Sequence, residues 1–307
     1  MTDLRRVPSA VDRWRAHTTY TDPGPHAHLL RTLDPATETV SAVARNLIAH
    51  YRGEAAALPE STREDVNLRW LADQLATDQD RHRTPLDRPR ALADRLQGCC
   101  RDHSLFCVGA LREHGLPART RIGFAGYFTP GFGHDHVVVE RLDGDRWVRF
   151  DPELPDGSTD AFDVADMPTG PTSPFQSAAE VWLAHRAGEL DVSRYGVDPA
   201  LDDPLRGAPI VAAHVIGEVA HRHGDELLLW DLWGQRADPM ADPALVDEVA
   251  GLLAAADSEE RRGNLDGPVA RELAGRYAAD DRLHPGSSVM LLSPLAATPV
   301  PVRVPLR

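Results

Sequence analysis

The chain has few cysteines, fewer basic than acidic residues, and no long apolar run. Of its 307 residues, 33 are Lys or Arg and 47 are Asp or Glu, which gives a formal net charge of -14. A charge of that sign repels nucleic acid and anionic lipid, so neither is an expected partner. No apolar run reaches the roughly 18 residues that a membrane span needs, and the amino-terminal stretch lacks the apolar centre of a signal peptide. We therefore expect a cytoplasmic protein that contacts neither membranes nor nucleic acids.

Cofactor motifs are also missing. The sequence contains no Gly-rich phosphate loop, no cluster of metal ligands at a recognisable spacing and no repeat of solenoid period. We therefore expect no cofactor and no bound metal, and nothing in the sequence indicates an oligomeric state. With 42% hydrophobic and 26% charged residues, the composition is that of a globular protein. The length allows one core with an appended piece.

The cysteines are concentrated in one short stretch. Cys99, Cys100 and Cys107 lie within nine positions, and neighbours in sequence cannot easily satisfy disulfide geometry, so we expect free thiols. A helical pattern over residues 99–114 begins at the adjacent pair and ends at Gly115. Backbone N–H groups at a helix start stabilise negative charge, so a cysteine there is expected to have a lowered pKa. Cys107, two turns later, is interpreted as a core residue.

Hydrophobic periodicity predicts two helices before the cysteines. An apolar stripe over residues 40–51 predicts a helix that ends at Gly53. A second helix is predicted around residues 68–75, and the polar residues 78–90 are typical of a loop.

After residue 117 the period changes to two. It predicts strands over residues 119–128, 136–142 and 146–152. Farther along, helical patches are predicted over residues 176–188, 208–223 and 243–256, and a Pro-rich tail over 294–307 has no assigned structure.

This order of elements predicts an α+β fold in which the helix that carries the cysteines packs on an antiparallel sheet. We expect three parts. They are an amino-terminal helical part over residues 1–94, a central core over residues 95–160, and a mostly helical carboxy-terminal extension over residues 161–307 that packs on the core.

The hairpin between the last two strands predicts a contact between an imidazole and a carboxylate. If Asp143 and Gly144 form a two-residue loop, His136 lies directly opposite Asp151 on one face. That geometry suits an imidazole whose Nδ1 proton is held by a carboxylate. A three-residue loop would instead place Val137 opposite Asp151.

A thiol at a helix start, a histidine and an aspartate together make up a nucleophilic triad. Such a triad transfers acyl groups through a thioester: the imidazole takes the thiol proton and the carboxylate orients the ring. The sequence supplies all three residue types.

Three stretches resemble the motifs of a known family. They read GCCRDHSLFCVGALREHGLPAR, HDHVVVE and DGDRWVRFDPEL. They are similar to the transglutaminase-like superfamily, whose motifs run roughly G-x-C-R-D, G-I-P-A-R, H-x-W-x-E and W-x-x-x-D-P. The histidine follows the cysteine by 36 positions, and the aspartate follows the histidine by 15. The resemblance implies a papain-like fold and a cysteine enzyme.

The resemblance also assigns roles to individual residues. It implies that Cys100 is the nucleophile, His136 the general base and Asp151 its orienting partner. Cys99 does not match the nucleophile and is interpreted as a packing residue. The family's aromatic residue two places after the histidine is replaced by Val138, which affects the shape of the pocket rather than the triad.

Other positions have supporting roles. The backbone N–H of Cys100 is one expected oxyanion donor, and Gln97 or the indole N–H of Trp70 is the candidate second donor. Arg119 and Glu140 match the family pattern and are interpreted as structural ion-pair partners rather than catalytic groups.

The carboxy-terminal half has a weaker resemblance. FQSAAEVWLAHRAGELDVSRYG and ELLLWDLWG are similar to the corresponding part of a bacterial group in the superfamily whose members have no common assigned substrate. Trp182, Trp230 and Trp233 are interpreted as anchors that pack this region onto the core.

Two alternatives concern the HDH stretch. His134 is a rival base, because the same hairpin register sets it opposite Glu153, although Pro152 interrupts the strand there. A zinc site formed by His134, His136 and Cys100 is the other alternative, but paired C-x-x-C or H-x-x-x-H spacing does not occur. His136 as general base is the preferred interpretation.

The sequence therefore predicts a thiol-dependent acyl-transfer enzyme that acts on an amide or thioester of a small molecule or peptide. Transfer to water makes it a hydrolase or amidase, and transfer to an amine makes it an amide-forming acyltransferase. Both possibilities stay open. The alternative is a catalytically inactive binding or scaffold protein of the same fold.

Overall fold

The computed structural model describes residues 10–170, 173–202, 204–296 and 298–304. Part of the predicted Pro-rich tail and most of the amino-terminal stretch lie outside these ranges. The α-helices are α1 (Ala10–Arg15), α2 (Ala27–Arg31), α3 (Thr37–Leu47), α4 (Leu71–His82), α5 (Cys100–Glu113), α6 (Ala178–Arg186), α7 (Ala208–Arg222), α8 (Gly234–Ala237), α9 (Pro243–Arg261) and α10 (Pro268–Ala279). The strands are β1 (Ile48–His50), β2 (Leu96–Gly98), β3 (Ala118–Thr129), β4 (Phe132–Asp143), β5 (Arg146–Phe150), β6 (Phe175–Ser177), β7 (Tyr195–Gly196), β8 (Asp231–Leu232), β9 (Ser288–Leu291) and β10 (Val300–Arg303).

The central sheet has five strands in the described part of the chain. Its order is β5-β4-β3-β6 with antiparallel neighbours, and β7 pairs with β4 in parallel. Helix α5 packs against β3 and β4, while α7 also packs against β3. The fold is therefore α+β, and the helix that carries the cysteines lies on an antiparallel sheet, as predicted.

The start of α5 is fixed by its own sequence. Cys99 is the N-cap, and its backbone N–H donates to Asp102 Oδ2 at 2.9 Å, one half of a capping box. The backbone just before this cap packs closely against Asp102 and Ile48, because a Cβ at Gly98 would overlap both residues. The helix consequently begins at Cys100 and holds that residue in its first turn.

Helix α5 is buried along almost its whole length. Ser104 Oγ donates to the backbone oxygen of Val137 at 2.9 Å, which ties the helix to β4. Cys107, one turn farther along, is fully buried in the core, as predicted. Because Cys100 and Ser104 are four residues apart, they share the helix face that meets the sheet.

A buried ion network joins the sheet to the carboxy-terminal helices. Its members are Arg119, Arg121, Glu140 and Arg149 of the sheet and Glu218, Arg222, Asp257 and Glu260 of α7 and α9. Burial opposes ionisation of Glu140, but the three guanidinium groups around it hold its pKa well below the ordinary value. The predicted ion pair of Arg119 with Glu140 is confirmed at 2.7 Å. The predicted domain boundaries are not decided by these contacts and stay a prediction.

The first predicted helix is too long. Helix α3 ends at Leu47, and residues 48–50 form β1, which pairs in parallel with β2. This ladder joins residues 48 positions apart, so a local pattern cannot reveal it. Likewise α4 extends to His82, so the predicted loop begins later than expected.

The carboxy-terminal part contains structure beyond the predicted helices. The three predicted patches correspond to α6, α7 and α9, whereas α10 was not predicted. Residues 300–303 of the Pro-rich tail form β10, which pairs with β9. The tail therefore contributes a strand to a small sheet.

Candidate active site

The hairpin between β4 and β5 turns one residue later than predicted. Asp143 pairs with Arg146, so the loop is Gly144 and Asp145, and Gly144 has the positive φ of 63° that suits the first position of a type II′ turn. The expected pairing of His136 directly opposite Asp151 is therefore wrong. Moving the loop by one residue changes the partner of each β4 residue by two positions. Because side chains alternate between the two faces along a strand, this even shift leaves His136 and Asp151 on the same face of the sheet.

The imidazole and the carboxylate nevertheless meet. His136 Nε2 lies 2.8 Å from Asp151 Oδ2, and the two residues are 2% and 1% exposed. The carboxylate thus holds Nε2 and not Nδ1, the nitrogen expected from the sequence. Within the described ranges, Nδ1 of His136 has no hydrogen-bond partner. This nitrogen is the one available to exchange a proton with another group.

Asp151 is itself held in place by two further donors. The hydroxyl of Tyr127 donates to Asp151 Oδ2 at 2.5 Å, and the backbone N–H of Glu153 donates to Oδ1 at 2.9 Å. Burial opposes a charged imidazole, but the carboxylate outweighs it and raises the pKa of His136. The ring is therefore a stronger base than a free imidazole.

Cys100 lines the same cleft as His136, but its thiol differs from the expectation. Its pKa is raised well above the ordinary value, first by a hydrogen bond with the Cys99 side chain, then by burial and by the negative charges of Glu153 and Asp135. The predicted lowering by the helix start is therefore wrong, because these effects outweigh the partial charge of the N–H groups. The resting residue is a neutral thiol.

Cys99 is more than a packing residue. It is buried with Cys100, Ile122 and Val137, and it also lines the cleft. The hydrogen bond between the two thiols favours the ionised form of Cys99 and disfavours that of Cys100. The adjacent sulfur atoms therefore form one coupled pair.

A second charged cluster lies beside the thiols, and sequence reasoning missed it. Both ring nitrogens of His103 face backbone carbonyl oxygens: Nδ1 is 2.9 Å from Cys99 O, and Nε2 is 3.2 Å from Ile48 O. Carbonyls only accept, so both nitrogens must carry protons. Glu153 Oε1 lies 3.2 Å from Nδ1. His103 and Glu153 thus form a buried ion pair.

The protonation of this cluster follows from its contacts. Burial opposes charge on either group, yet the histidines around Glu153 lower its pKa to about 2, and the carboxylate raises the pKa of His103. His50, the other neighbour of Glu153, accepts the backbone N–H groups of Arg52 and Gly53 at Nδ1, and burial lowers its pKa. His50 is therefore neutral and carries its proton on Nε2.

The cleft beside these groups has a volume of about 900 Å³. One wall comes from the predicted core and contains Cys99, Cys100, His136 and Glu153, and the other comes from the carboxy-terminal extension. A second cavity, of about 620 Å³ and formed by residues 232–237 and 281–290, contains none of the predicted site residues. The larger cleft is therefore the candidate binding site.

The expected second oxyanion donors lie elsewhere. The amide of Gln97 donates to Pro59 O at 2.7 Å and to Thr62 Oγ1 at 3.0 Å, and neither Gln97 nor Trp70 lines the cleft. Trp230, interpreted as an anchor, does line it. Its indole Nε1 is buried and has no hydrogen-bond acceptor among the described residues.

The alternatives for His134 are not supported by its contacts. Its ring nitrogens lie 2.8 Å from Thr129 Oγ1 and 3.4 Å from Val197 O, and Glu153 is not a partner. In the described part of the chain, no group of three or more His, Cys, Asp or Glu residues is arranged to hold a metal ion.

No described helix is long and apolar enough to cross a membrane.

Comparison with known proteins finds a family model that matches part of the chain. The model of the "Transglutaminase-like superfamily" matches residues 31–152. No curated protein matches the chain. A crystal structure described as a "Putative Cysteine Protease" from Cytophaga hutchinsonii matches with 15% identity and a TM-score of 0.31, covering 50% of this chain and 45% of that one. Residues 31–152 are therefore similar to the transglutaminase-like superfamily.

Proposed function

We propose that this protein is a cysteine enzyme that transfers acyl groups through a thioester on Cys100. The observation that carries the proposal is the contact of His136 Nε2 with Asp151, which leaves Nδ1 free in a cleft that also contains Cys100. Buried polar atoms of structural residues are usually hydrogen-bonded, so an unpartnered nitrogen on a histidine that lines a cleft favours a functional role.

The first chemical step follows from the resting protonation states. His136 Nδ1 takes the proton of the neutral Cys100 thiol while the sulfur attacks the carbonyl carbon of an amide or thioester. The carbonyl electron pair moves to oxygen, and Asp151 stabilises the imidazolium that forms. When the tetrahedral intermediate collapses, the imidazolium protonates the leaving amine or thiol. The products of this step are an acyl-thioester on Cys100 and a neutral base.

The second step reverses the roles. Neutral His136 accepts a proton from water or from an amine as that nucleophile attacks the thioester, and the thiol of Cys100 leaves with the proton returned to it. Water gives a carboxylic acid, and an amine gives a new amide.

The negative oxygen of both intermediates needs donors. The N–H of Cys100 is one of the first four in α5, which have no partner within the helix. The unpartnered indole N–H of Trp230 is the second donor we propose, because Trp230 packs against the cysteine pair and lines the cleft. It replaces Gln97 and Trp70 in that role.

Site-specific alkylation tests this proposal. We expect iodoacetamide at neutral pH to label Cys100 faster than Cys107, the buried internal control, and we expect His136→Ala to remove that preference. Peptide mass mapping measures the label on each cysteine. Slow and equal labelling of all three cysteines in the native protein would contradict the activation of Cys100.

A binding protein without turnover is the second candidate, and one observation favours it. Cys100 is only 3% exposed, and its pKa is raised. If the cleft is closed in solution, Cys100 reacts only after denaturation, and the same labelling experiment in urea detects this outcome.

A further inference from the structure

The cleft contains a buried cation that forms no ion pair with a described residue. Arg236, on α8, is 3% exposed and lines the carboxy-terminal wall. Its guanidinium donates to three backbone carbonyl oxygens: Asp231 O at 3.1 Å, Leu229 O at 2.7 Å and Ala213 O. A guanidinium has five N–H groups, so two of them have no acceptor among the described residues.

Every other buried arginine in the described part of the chain has a carboxylate partner. These arginines are Arg69, Arg90, Arg101, Arg112, Arg119, Arg121, Arg149 and Arg222. Arg236 forms no ion pair with any described residue. A buried charge without an ion-pair partner is costly, and a ligand that supplies the opposite charge would offset that cost.

Partial compensation exists but is incomplete. The ring of Trp233 lies 5.4 Å from the guanidinium carbon. The charges of Asp231 and Asp135 also act on Arg236, although Asp231 already binds Arg69 and Asp135 faces His214. Desolvation nevertheless lowers the pKa of Arg236 to about 10. The guanidinium is therefore less well stabilised than it is in water.

The backbone leaves space for this side chain close to the thiols. Gly217 on α7 faces the guanidinium, and a Cβ at that position would overlap it. The same missing Cβ would also meet Ile122, which packs against Cys99 and Cys100. Arg236 and Ile122, a member of the cysteine cluster, therefore both lie close to Gly217.

The remainder of the carboxy-terminal wall is mostly apolar. It includes Leu201, Leu205, Pro209, Ile210, Leu229 and Leu292. Such a wall suits a hydrocarbon segment, because its burial stabilises binding in proportion to the apolar area removed from water. Asp135 also lines the cleft but faces His214 at 3.4 Å.

We propose that Arg236 binds a carboxylate of the acyl substrate, and that an apolar chain links this carboxylate to the amide or thioester attacked by Cys100. The proposal rests on the proposed function for the reacting group, but the carboxylate subsite can be tested without catalysis. Nη1 and Nη2 each keep one N–H without an acceptor among the described residues, and a carboxylate offers two oxygens as acceptors.

The test measures binding to the Cys100→Ala protein by calorimetry. The probes are the monoamides of the four- to eight-carbon α,ω-dicarboxylic acids, each compared with its diamide, which has the same shape but no charge. We expect the best monoamide to bind at least tenfold more tightly than its diamide, a difference of about 1.4 kcal/mol, because only the monoamide can form charge-assisted hydrogen bonds with the guanidinium. Arg236→Gln should remove this preference.

Arg52→Gln is the matched control. Arg52 lines the same cleft but is exposed, so its loss should leave the preference almost unchanged if the effect belongs to the buried site. The proposal is overturned if monoamide and diamide bind equally in every pair. It is also overturned if the preference survives Arg236→Gln or disappears with Arg52→Gln.

Arg236 also donates to three backbone carbonyl oxygens, so its replacement could unfold the protein. Near-ultraviolet circular dichroism must therefore show that Arg236→Gln is folded. If it is not, the Cys100→Ala protein is modified with phenylglyoxal instead. The monoamide should slow modification of Arg236 and leave the exposed Arg186 unaffected, and equal rates at Arg236 with and without the monoamide overturn the proposal. A failure of Cys100 to react, by contrast, would contradict only the proposed function.

Discussion

His136 Nε2 contacts Asp151 Oδ2 at 2.8 Å although the two residues are not paired across the hairpin. Asp151 lies one residue beyond the end of β5. The register of β4 with β5, continued past Phe150, would place Glu153 opposite His136, so Asp151 is two positions away from the directly opposite residue. The same-face relationship survives because side chains alternate along a strand. The contact occupies Nε2 and leaves Nδ1 without a hydrogen-bond partner among the described residues.

The pH dependence of activity should follow His136. Its pKa is raised from 6.5 by Asp151, and only the neutral ring accepts a proton, so kcat/KM should rise with pH through a midpoint above 6.5. The contribution of the His136–Asp151 pair to the stability of the fold changes with pH in the opposite direction. It is fully present below pH 6.5 and is lost as pH rises through the pKa of His136 in the folded protein. A kcat/KM profile with a midpoint below 6.5 would contradict this assignment.

Replacing the carboxylate should weaken the base. In Asp151→Asn the charge that raises the pKa of His136 is lost, so we expect that pKa to fall and kcat/KM to drop roughly 10³- to 10⁴-fold. Nuclear magnetic resonance titration of the histidine signals measures the first effect, and steady-state kinetics measures the second. An unchanged His136 titration in a folded variant would show that Asp151 does not act on the ring.

A further prediction concerns the adjacent thiols of Cys99 and Cys100. The hydrogen bond with Cys99 is the largest cause of the raised pKa of Cys100, so Cys99→Ala should lower that pKa and accelerate alkylation of Cys100 at neutral pH. The rate of iodoacetamide labelling against pH measures the change. Cys107→Ala is the control, because that thiol lies in the core and should not affect the rate. A slower reaction of Cys100 in Cys99→Ala would contradict the coupling.

The ion pair of Glu153 with His103 should stabilise the fold. Glu153→Gln leaves a buried imidazolium without its partner, so we expect a loss of about 3 kcal/mol in the free energy of unfolding at pH 7. Because the pKa of Glu153 is lowered from 4.5 to about 2, this contribution is present above pH 4.5 and is lost as pH falls towards 2. Urea unfolding at pH 7 and pH 3 measures both values.

The control for that experiment is an exposed pair. Asp166→Asn removes the partner of Arg146 at the surface and should change the free energy of unfolding by about 0.5 kcal/mol or less. Equal effects of the two substitutions would contradict the structural role of Glu153.

The proposed oxyanion donor can be tested with little change of shape. Trp230→Phe keeps an aromatic ring and removes the N–H, so kcat should fall roughly 10²- to 10³-fold while KM changes little. Trp233→Phe is the matched control: its indole donates to Leu283 O at 3.1 Å, and its loss should cost about 1 kcal/mol of stability without lowering kcat. Equal kinetics of the two variants would remove Trp230 from the mechanism.

The sequence predicted the elements whose signals are local. Periodicity and the stop at Gly115 located α5, alternation located β3, β4 and β5, and the order of elements predicted the α+β class. The candidate triad residues were predicted from residue types and a family motif. The predicted register was wrong by two positions, but an even error keeps His136 and Asp151 on one face, so their contact was still predicted.

Features made by distant segments were not predictable in this way. The strand at residues 48–50 exists only through its ladder with residues 96–98, and the pair of His103 with Glu153 needs α5 and the segment after β5 to meet. The raised pKa of Cys100 likewise depends on burial and on nearby carboxylates, whereas the sequence showed only the helix start. Arg236 became notable only because coordinates reveal which arginines lack a carboxylate.

The most direct measurement of the central claim is the mass of the protein after brief incubation with a p-nitrophenyl acyl ester. Intact mass and peptide mapping should find one acyl group per chain on Cys100 in the wild-type protein, and none on that peptide in Cys100→Ala or His136→Ala. An acyl group on Cys99 instead, or an acylation of Cys100 that does not depend on His136, would contradict the proposed mechanism.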